Sequence, residues 1–207
     1  MKKNVIIGVT GPTGTGKSVF CRLLQEKGYT VLDADKIYKE LISGPSACTA
    51  ALKREFGANI GDDKGGIDRK KLGLIAFSDS EELARLNAVA HPFVVDEIDR
   101  MIAAKTHEGV TRFAVDAPAL FESGADQMCD ITVAVLASRD LRLNRIKSRD
   151  ALDDESALLR MGAQHGDEYY SEKSEYIIVN DGKIDSFEAS VDRFLAAIGE
   201  KADEKRR

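Results

Sequence analysis

The sequence has no tryptophan, few aromatic residues of any kind, four prolines, three cysteines and three histidines in 207 residues. The cysteines are odd in number and widely separated, which excludes a disulfide framework and predicts free thiols in a reducing compartment. The histidines lack the spacing of metal ligands, which argues against a zinc site. No apolar run approaches the ~20 residues that span a bilayer. We therefore expect a cytoplasmic protein without a membrane partner.

A surplus of positive charge is also missing. The formal net charge is −5 at pH 7, whereas general nucleic-acid binders usually carry a basic surplus. We expect no nucleic-acid partner and either a monomer or a small homo-oligomer. Hydrophobic residues make up 43% of the chain, enough for the core of a single globular unit over 1–207. The charged stretch 200–207 is expected to fray.

The chain does contain a complete phosphate-binding loop. Residues 11–18 read GPTGTGKS and match the pattern G-x-x-x-x-G-K-[ST] between an apolar run and a helical one. Glycines let such a loop curve so that its N–H groups donate to a phosphate, and the following helix adds its positive dipole end. Lys17 is expected to reach the β- and γ-phosphates of a nucleotide, and the hydroxyl of Ser18 to bind Mg²⁺.

Short apolar strands alternate with helical segments along the chain. This pattern predicts an α/β fold with a doubly wound, five-stranded parallel sheet, as in P-loop kinases. The gap between the second and third strands is too long for one crossover helix, so it predicts a helical insertion that binds the second substrate. A later charged, helical segment suits a lid. The predicted core comprises 1–35, 107–148 and 175–199, with the insertion at 36–106 and the lid at 149–174.

Two acidic residues, Asp33 and Asp35, follow the second predicted strand. Strand alternation would place both on one side of the strand end, beside the phosphate loop. One could accept the proton of a hydroxyl substrate, and the other could orient Mg²⁺ through its waters. The alternative is that one of them caps the helix that begins near Lys36.

Asp116 ends the third predicted strand, where it could be the second acid near Mg²⁺ or a cap before a helix that starts at Pro118. Arg142, Arg145 and Arg149 share one face of a predicted helix. That face is either a solvated charge stripe or a source of positive charge for phosphoryl transfer.

Several segments outside the loop, taken in order, resemble the dephospho-coenzyme A (dephospho-CoA) kinase family over nearly the whole chain. The segments that carry the resemblance are 33–37 (DADKI), 67–72 (IDRKKL) with Phe77, 91–94 (HPFV), 116–122 (DAPALFE), 160–164 (RMGAQ) after Arg145 and Arg149, and 178–182 (IVNDG). The loop departs from the common family form at Pro12 and Thr15.

The resemblance implies ATP-dependent, Mg²⁺-assisted phosphorylation of the ribose 3′-hydroxyl of dephospho-CoA. It implies that Asp35 is the catalytic base, that Asp33 lies near the waters of Mg²⁺ and that Arg145 stabilises the transferring phosphoryl group. The residues implied on the ATP side are Gly14, Thr15, Gly16, Lys17, Ser18, Val19, Arg149 and Asn180, the last near the adenine. Those implied on the acceptor side are Asp33, Asp35, His91, Asp116 and Pro118.

Two other functions share part of these features. Another small-molecule P-loop kinase, acting on a nucleoside, a nucleotide or a shikimate-like polyol, would have the same loop, an acid after the second strand and an arginine-bearing lid. A nucleotide-gated switch ATPase would share the loop but would need a residue that orients water and a large partner surface.

Overall fold

Five parallel strands form one sheet in the order β2-β3-β1-β4-β5 in the computed structural model, which describes residues 4–76 and 78–204. The predicted α/β fold is confirmed. Residues 1–3, Phe77 and residues 205–207 lie outside the described residues. The strands are β1 (Val5–Thr10), β2 (Thr30–Asp33), β3 (Arg112–Asp116), β4 (Ile131–Leu136) and β5 (Tyr176–Val179).

Helices cover both faces of this sheet. They are α1 (Lys17–Glu26), α2 (Ala34–Leu41), α3 (Ala47–Phe56), α4 (Arg69–Ala76), α5 (Ser80–His107), α6 (Arg139–Asp150), α7 (Asp154–Gly162), α8 (Asp167–Lys173) and α9 (Ile184–Glu204). None of the helices within the described ranges is both long enough and apolar enough to cross a membrane.

The core consists of two apolar layers, one on each side of the sheet. On one side α1 and α9 pack Phe20 and Phe187 against Ile7 and Val9 of β1. On the other side α2 and α5 cover β2 and β3, with Ile98 fully buried. Near-continuous apolar strands are what a parallel sheet with two covered faces requires.

The segment between β2 and β3 has a small core of its own. Six buried residues from α2 to α4 pack together there: Ile42, Cys48, Leu52, Ile60, Ile67 and Leu72. Helix α5 is capped by Asp79, whose side chain accepts hydrogen bonds from the N–H groups of Glu81 and Glu82, as expected for an N-cap residue. The helix then continues through Pro92.

Three expectations about local structure are wrong. Asp35 does not lie at the end of a strand, because α2 begins at Ala34 and includes it. The alternative that one of the two acids caps this helix is confirmed, because the side chain of Asp33 accepts from the N–H of Lys36 at 2.9 Å. No helix starts at Pro118, since turns occupy 118–124. Helix α9 runs to Glu204, so the first part of the tail expected to fray is helical.

Candidate active site

The loop at residues 11–18 joins β1 to α1 and curves through left-handed backbone conformations. Gly14 has φ +82° and Gly16 has φ +97°, values that favour glycine. A Cβ on Gly16 would lie 2.2 Å from Nδ2 of Asn180, and a Cβ on Gly14 would lie 2.8 Å from the backbone oxygen of Arg142. Both positions therefore require glycine for backbone conformation and for space.

Helix α6 holds the outer side of this loop. The carbonyl of Thr13 accepts a hydrogen bond from Nε of Arg142 at 3.0 Å. Arg145 donates to the carbonyls of Gly14 and Thr15, both at 3.3 Å, and to that of Asn180 at 3.0 Å. The predicted common face of the α6 arginines is confirmed, and it is turned toward the loop and not left as a solvated stripe.

An open cleft of about 960 Å³ lies over the loop. It is bordered by the carboxyl ends of the strands, which is where doubly wound folds bind ligands. The sequence-predicted residues that line the cleft are Gly14, Thr15, Gly16, Lys17, Ser18, Asp33, Asp35, Asp116, Pro118, Arg145 and Arg149. Most of the residues singled out from the sequence are thus brought to one place.

Three predicted site residues lie elsewhere. Val19 packs partly buried against the core below the loop. Asn180 is buried, and its side-chain amide donates to the carbonyl of Thr15 at 2.8 Å. It therefore holds the loop from behind and does not line the cleft. His91 lies on α5 next to the backbone of Glu122, and burial lowers the pKa of its imidazole.

The acids of the cleft have different surroundings. Asp33 and Asp116 are in register on the neighbouring strands β2 and β3. Burial raises the pKa of Asp116, and the charge of Asp33 adds to this rise, while Lys17 opposes it. The Oδ1 atom of Asp116 is buried and has no hydrogen-bond partner among the described residues. Asp35 is exposed at the start of α2, where an incoming molecule can reach it.

This set of side chains fits Mg²⁺ bound together with phosphates. Mg²⁺ usually keeps several waters and takes one or two carboxylates plus the oxygens of a nucleotide, without a cage made only of protein groups. Ser18, Asp33 and Asp116 border the same cleft, and the buried Oδ1 of Asp116 is an acceptor without a hydrogen-bond partner among the described residues. No cluster of three or more His, Cys, Asp or Glu side chains that could hold a metal alone occurs in the described part of the chain.

The segment after α6 covers one end of the cleft with positive charge. Asp150 accepts hydrogen bonds from Nε and Nη2 of Arg149, both at 2.8 Å, and from Nη1 of Arg160 at 2.9 Å. Arg160 and Gln164 line the cleft with Arg149. One carboxylate therefore holds two arginines at the edge of the cleft above the loop.

Helix α8 anchors the far end of this segment. Asp167 accepts from the buried guanidinium of Arg142 at 2.8 Å. Nε2 of His165 lies 3.2 Å from a carboxylate oxygen of Glu122, and its ring stacks on Tyr169 with the ring centroids 3.8 Å apart.

Sequence reasoning gave no role to Thr13, Asp150 or Gln164. Gln164 closes the segment 160–164 that carried the family resemblance, so a signal for it was present in the sequence. Thr13 occupies a variable loop position, and Asp150 is one of many acids in a charged stretch. Their contacts depend on how α6 and α7 pack against the loop, which spacing alone does not specify.

Comparison with known proteins adds a family match over most of the chain. The family model for dephospho-CoA kinase matches residues 5–186. A dephospho-CoA kinase of Fusobacterium nucleatum is 37% identical over 194 residues, which cover 94% of this chain and 98% of that protein.

Solved structures agree with this match. The dephospho-CoA kinase from Campylobacter jejuni is 27% identical, with a TM-score of 0.67 over 95% of this chain and 98% of that one. A shikimate kinase from Acinetobacter baumannii, solved with shikimate, has a TM-score of 0.55 at 17% identity over 96% of this chain and 94% of that one. The latter likeness concerns the fold alone.

Proposed function

This chain belongs to the dephospho-CoA kinase family, whose reaction is the last step of coenzyme A biosynthesis, and we propose how its own residues carry out that reaction. ATP binds with its phosphates on the loop 11–18, and the ribose 3′-hydroxyl of dephospho-CoA approaches across the cleft. The observation that carries the proposal is that Lys17, Ser18, Asp35 and Arg145 line one cleft. Anion binding and proton acceptance are therefore possible at the same place.

Asp35 is proposed as the general base. The 3′-oxygen forms a bond to the γ-phosphorus of ATP, the bond from that phosphorus to the β–γ bridging oxygen breaks, and ADP leaves. The proton of the hydroxyl passes to the carboxylate of Asp35. The support for this role is the open position of Asp35 at the start of α2, together with the requirement that a base reach the proton it removes.

Positive charge for the transferring group is proposed to come from Lys17 and Arg145. Phosphoryl transfer is catalysed mainly by positioning and by charge stabilisation. The hydrogen bonds of Arg145 to the loop carbonyls fix its guanidinium before substrates bind. Mg²⁺, when bound, would neutralise charge on the phosphates, and Ser18 with Asp33 and Asp116 would hold it. Pro118 borders the cleft on the acceptor side.

The resemblance implied that Asn180 and Val19 contact ATP, and we propose supporting roles for both. Val19 packs against the core below the loop. The amide of Asn180 is used by the loop backbone, so its proposed role is to fix the loop. His91 lies beside the backbone of Glu122, and its proposed role is to support the segment after β3. Three free thiols, typical of a reducing compartment, support a cytoplasmic location.

A panel of acceptors tests the proposed reaction. The enzyme is incubated with ATP, Mg²⁺ and either dephospho-CoA, its 3′-deoxy analogue, uridine or shikimate, and products are identified by mass. We expect a phosphorylated product from dephospho-CoA and none from its 3′-deoxy analogue. The Lys17→Ala variant, purified in the same way, controls for contaminating kinases. Phosphorylation of uridine or shikimate without phosphorylation of dephospho-CoA would overturn the proposal, as would ATP hydrolysis that no acceptor changes.

A further inference from the structure

Thr13, the third residue of the phosphate loop, is hydrogen-bonded through all of its polar atoms to residues of α6 and the lid. Its N–H donates to Oε1 of Gln164 at 2.7 Å. Its carbonyl accepts from Nε of Arg142 at 3.0 Å, and its hydroxyl accepts from Nη2 of Arg149 at 3.4 Å. The contact with Gln164 joins residues 151 positions apart, so it directly connects the lid to the loop.

Gln164 lies just beyond the end of α7, four residues after Arg160. Its own N–H donates to the carbonyl of Met161 at 3.3 Å, which continues the helical turn. Gln164 and Arg160 both line the cleft. A hydrogen bond from the loop to Gln164 therefore fixes the distance between the loop and the end of the helix that carries Arg160.

We propose that Gln164 is a positioning residue of the phosphoryl-transfer reaction: it joins the lid to the loop at the N–H of Thr13 and so holds Arg160 over the bound phosphates. This inference rests on the proposed function. A lid held in this way also excludes water from the cleft, which favours transfer to the acceptor over hydrolysis.

The amide side chain of Gln164 suits a position beside the N–H of Thr13. An amide oxygen accepts the hydrogen bond of a loop N–H without bringing a negative charge near ATP. A carboxylate at the same position would accept the same bond but would repel the phosphates. The exchange of Gln164 for glutamate therefore separates the hydrogen bond from the charge.

The lid does not depend on Gln164 for its folding. Two side-chain contacts anchor the neighbouring segment. Nη1 of Arg142 lies 2.8 Å from Oδ1 of Asp167, and Nε2 of His165 lies 3.2 Å from Oε1 of Glu122. Gln164 is only partly buried. Loss of its side chain should leave α7 and α8 in place and should release only the contact with the loop.

The test compares Gln164→Ala and Gln164→Glu with wild type, and Gln25→Ala on the exposed side of α1 is the matched control. Two quantities are measured: hydrogen exchange of the Thr13 amide without nucleotide, and the ratio of acceptor-independent ATP hydrolysis to transfer. For Gln164→Ala we expect exchange to be about three to ten times faster, because one hydrogen bond is lost. We also expect kcat to fall about tenfold or more, a higher hydrolysis ratio and a KM for dephospho-CoA within about twofold of wild type.

The second variant makes the result specific. Gln164→Glu should keep the Thr13 amide protected and should raise the KM for ATP by about tenfold. The proposal is overturned if Gln164→Ala changes neither amide exchange nor the hydrolysis ratio. It is also overturned if Gln164→Glu loses amide protection to the same extent as alanine. Amide exchange needs no substrate, so a failure of the proposed acceptor would be visible separately, in the transfer assay of wild type.

Discussion

At the scale of single residues, three carboxylates meet in one cleft but have different surroundings. Asp33 caps α2, Asp116 is partly buried at the end of β3, and Asp35 is open to incoming molecules. The sequence DAD predicted that two acids lie beside the loop, and both do line the cleft. It could not separate their roles, because strand alternation and helix capping are equally compatible with that spacing.

Replacement of Asp35 tests the role of the general base. We expect Asp35→Asn to lower kcat by about 10²–10⁴-fold, which is the usual contribution of a general base. ATP binding should change little, because this carboxylate is assigned to the acceptor. Steady-state kinetics and ATP titration measure the two effects. The matched control is Asp99→Asn, an exposed residue of α5, and a kcat equal to that of this control would remove Asp35 from the role.

Replacement of Asp116 tests the cost of its burial. Burial raises the pKa of this carboxyl above its ordinary value of 3.8, so the folded protein binds a proton at this site more tightly than the unfolded chain does. The resulting destabilisation develops as pH rises from about the unfolded pKa to the folded one, and it is complete above the folded pKa. Asp116→Asn should therefore raise the midpoint of thermal unfolding by a few degrees at pH 7 and by less near pH 4.

The same variant should be less active. We expect kcat to fall about 10–100-fold, as is common when a residue that supports a metal site is lost. Unfolding curves at both pH values and a transfer assay measure the two changes. A lower midpoint at pH 7 would contradict the assignment of Asp116 as a buried charge that destabilises the fold.

At the scale of elements, the loop is held by pieces of chain that are remote in sequence. Arg145 of α6 and Asn180 after β5 both bind its carbonyl groups. The strands and the helical character of the segment between β2 and β3 were predictable because apolar runs and helical periodicity are local signals. The contacts that support the loop were not predictable, because they depend on where α6 and β5 pack.

Asn180 offers a test of this support. Asn180→Ala removes a buried hydrogen bond worth roughly 1 kcal/mol, and we expect the Kd for ATP to rise about three- to tenfold. A loosened loop should weaken the binding of every nucleoside triphosphate alike, so the ratio of ATP to GTP affinity should stay constant. Calorimetric titration with both nucleotides measures this, and Asn59→Ala in the insertion is the control. A selective loss of ATP affinity would instead support a contact with the adenine.

At the scale of the whole molecule, the parallel sheet brings the loop, the acids and the segment after α6 to one edge. The order β2-β3-β1-β4-β5 places the loop after β1 beside the acid at the end of β3, and β2 lies next to β3. The family and fold were accessible from the sequence because the ordered motifs extend along nearly the whole chain. The positions of His91, Val19 and Asn180 were not, because a motif does not specify whether its residues face the ligand or support those that do.

Binding of ATP should stabilise the whole fold. A ligand at about 100 times its Kd adds about 2.7 kcal/mol to the free energy of unfolding. For a chain of this length that corresponds to a rise of about 5–10 °C in the unfolding midpoint. Lys17→Ala should lose most of this rise, while the exposed Lys64→Ala should keep it. A thermal-shift series with ATP and Mg²⁺ measures the effect, and an undiminished rise in Lys17→Ala would contradict the assignment of the loop.

The most direct measurement is a structure of the enzyme with dephospho-CoA and a non-hydrolysable ATP analogue. We predict that the ribose 3′-oxygen lies about 2.6–3.2 Å from a carboxylate oxygen of Asp35 and about 3–3.5 Å from the γ-phosphorus. A closed complex in which the 3′-hydroxyl contacts a different base, with Asp35 beyond hydrogen-bond reach, would contradict it.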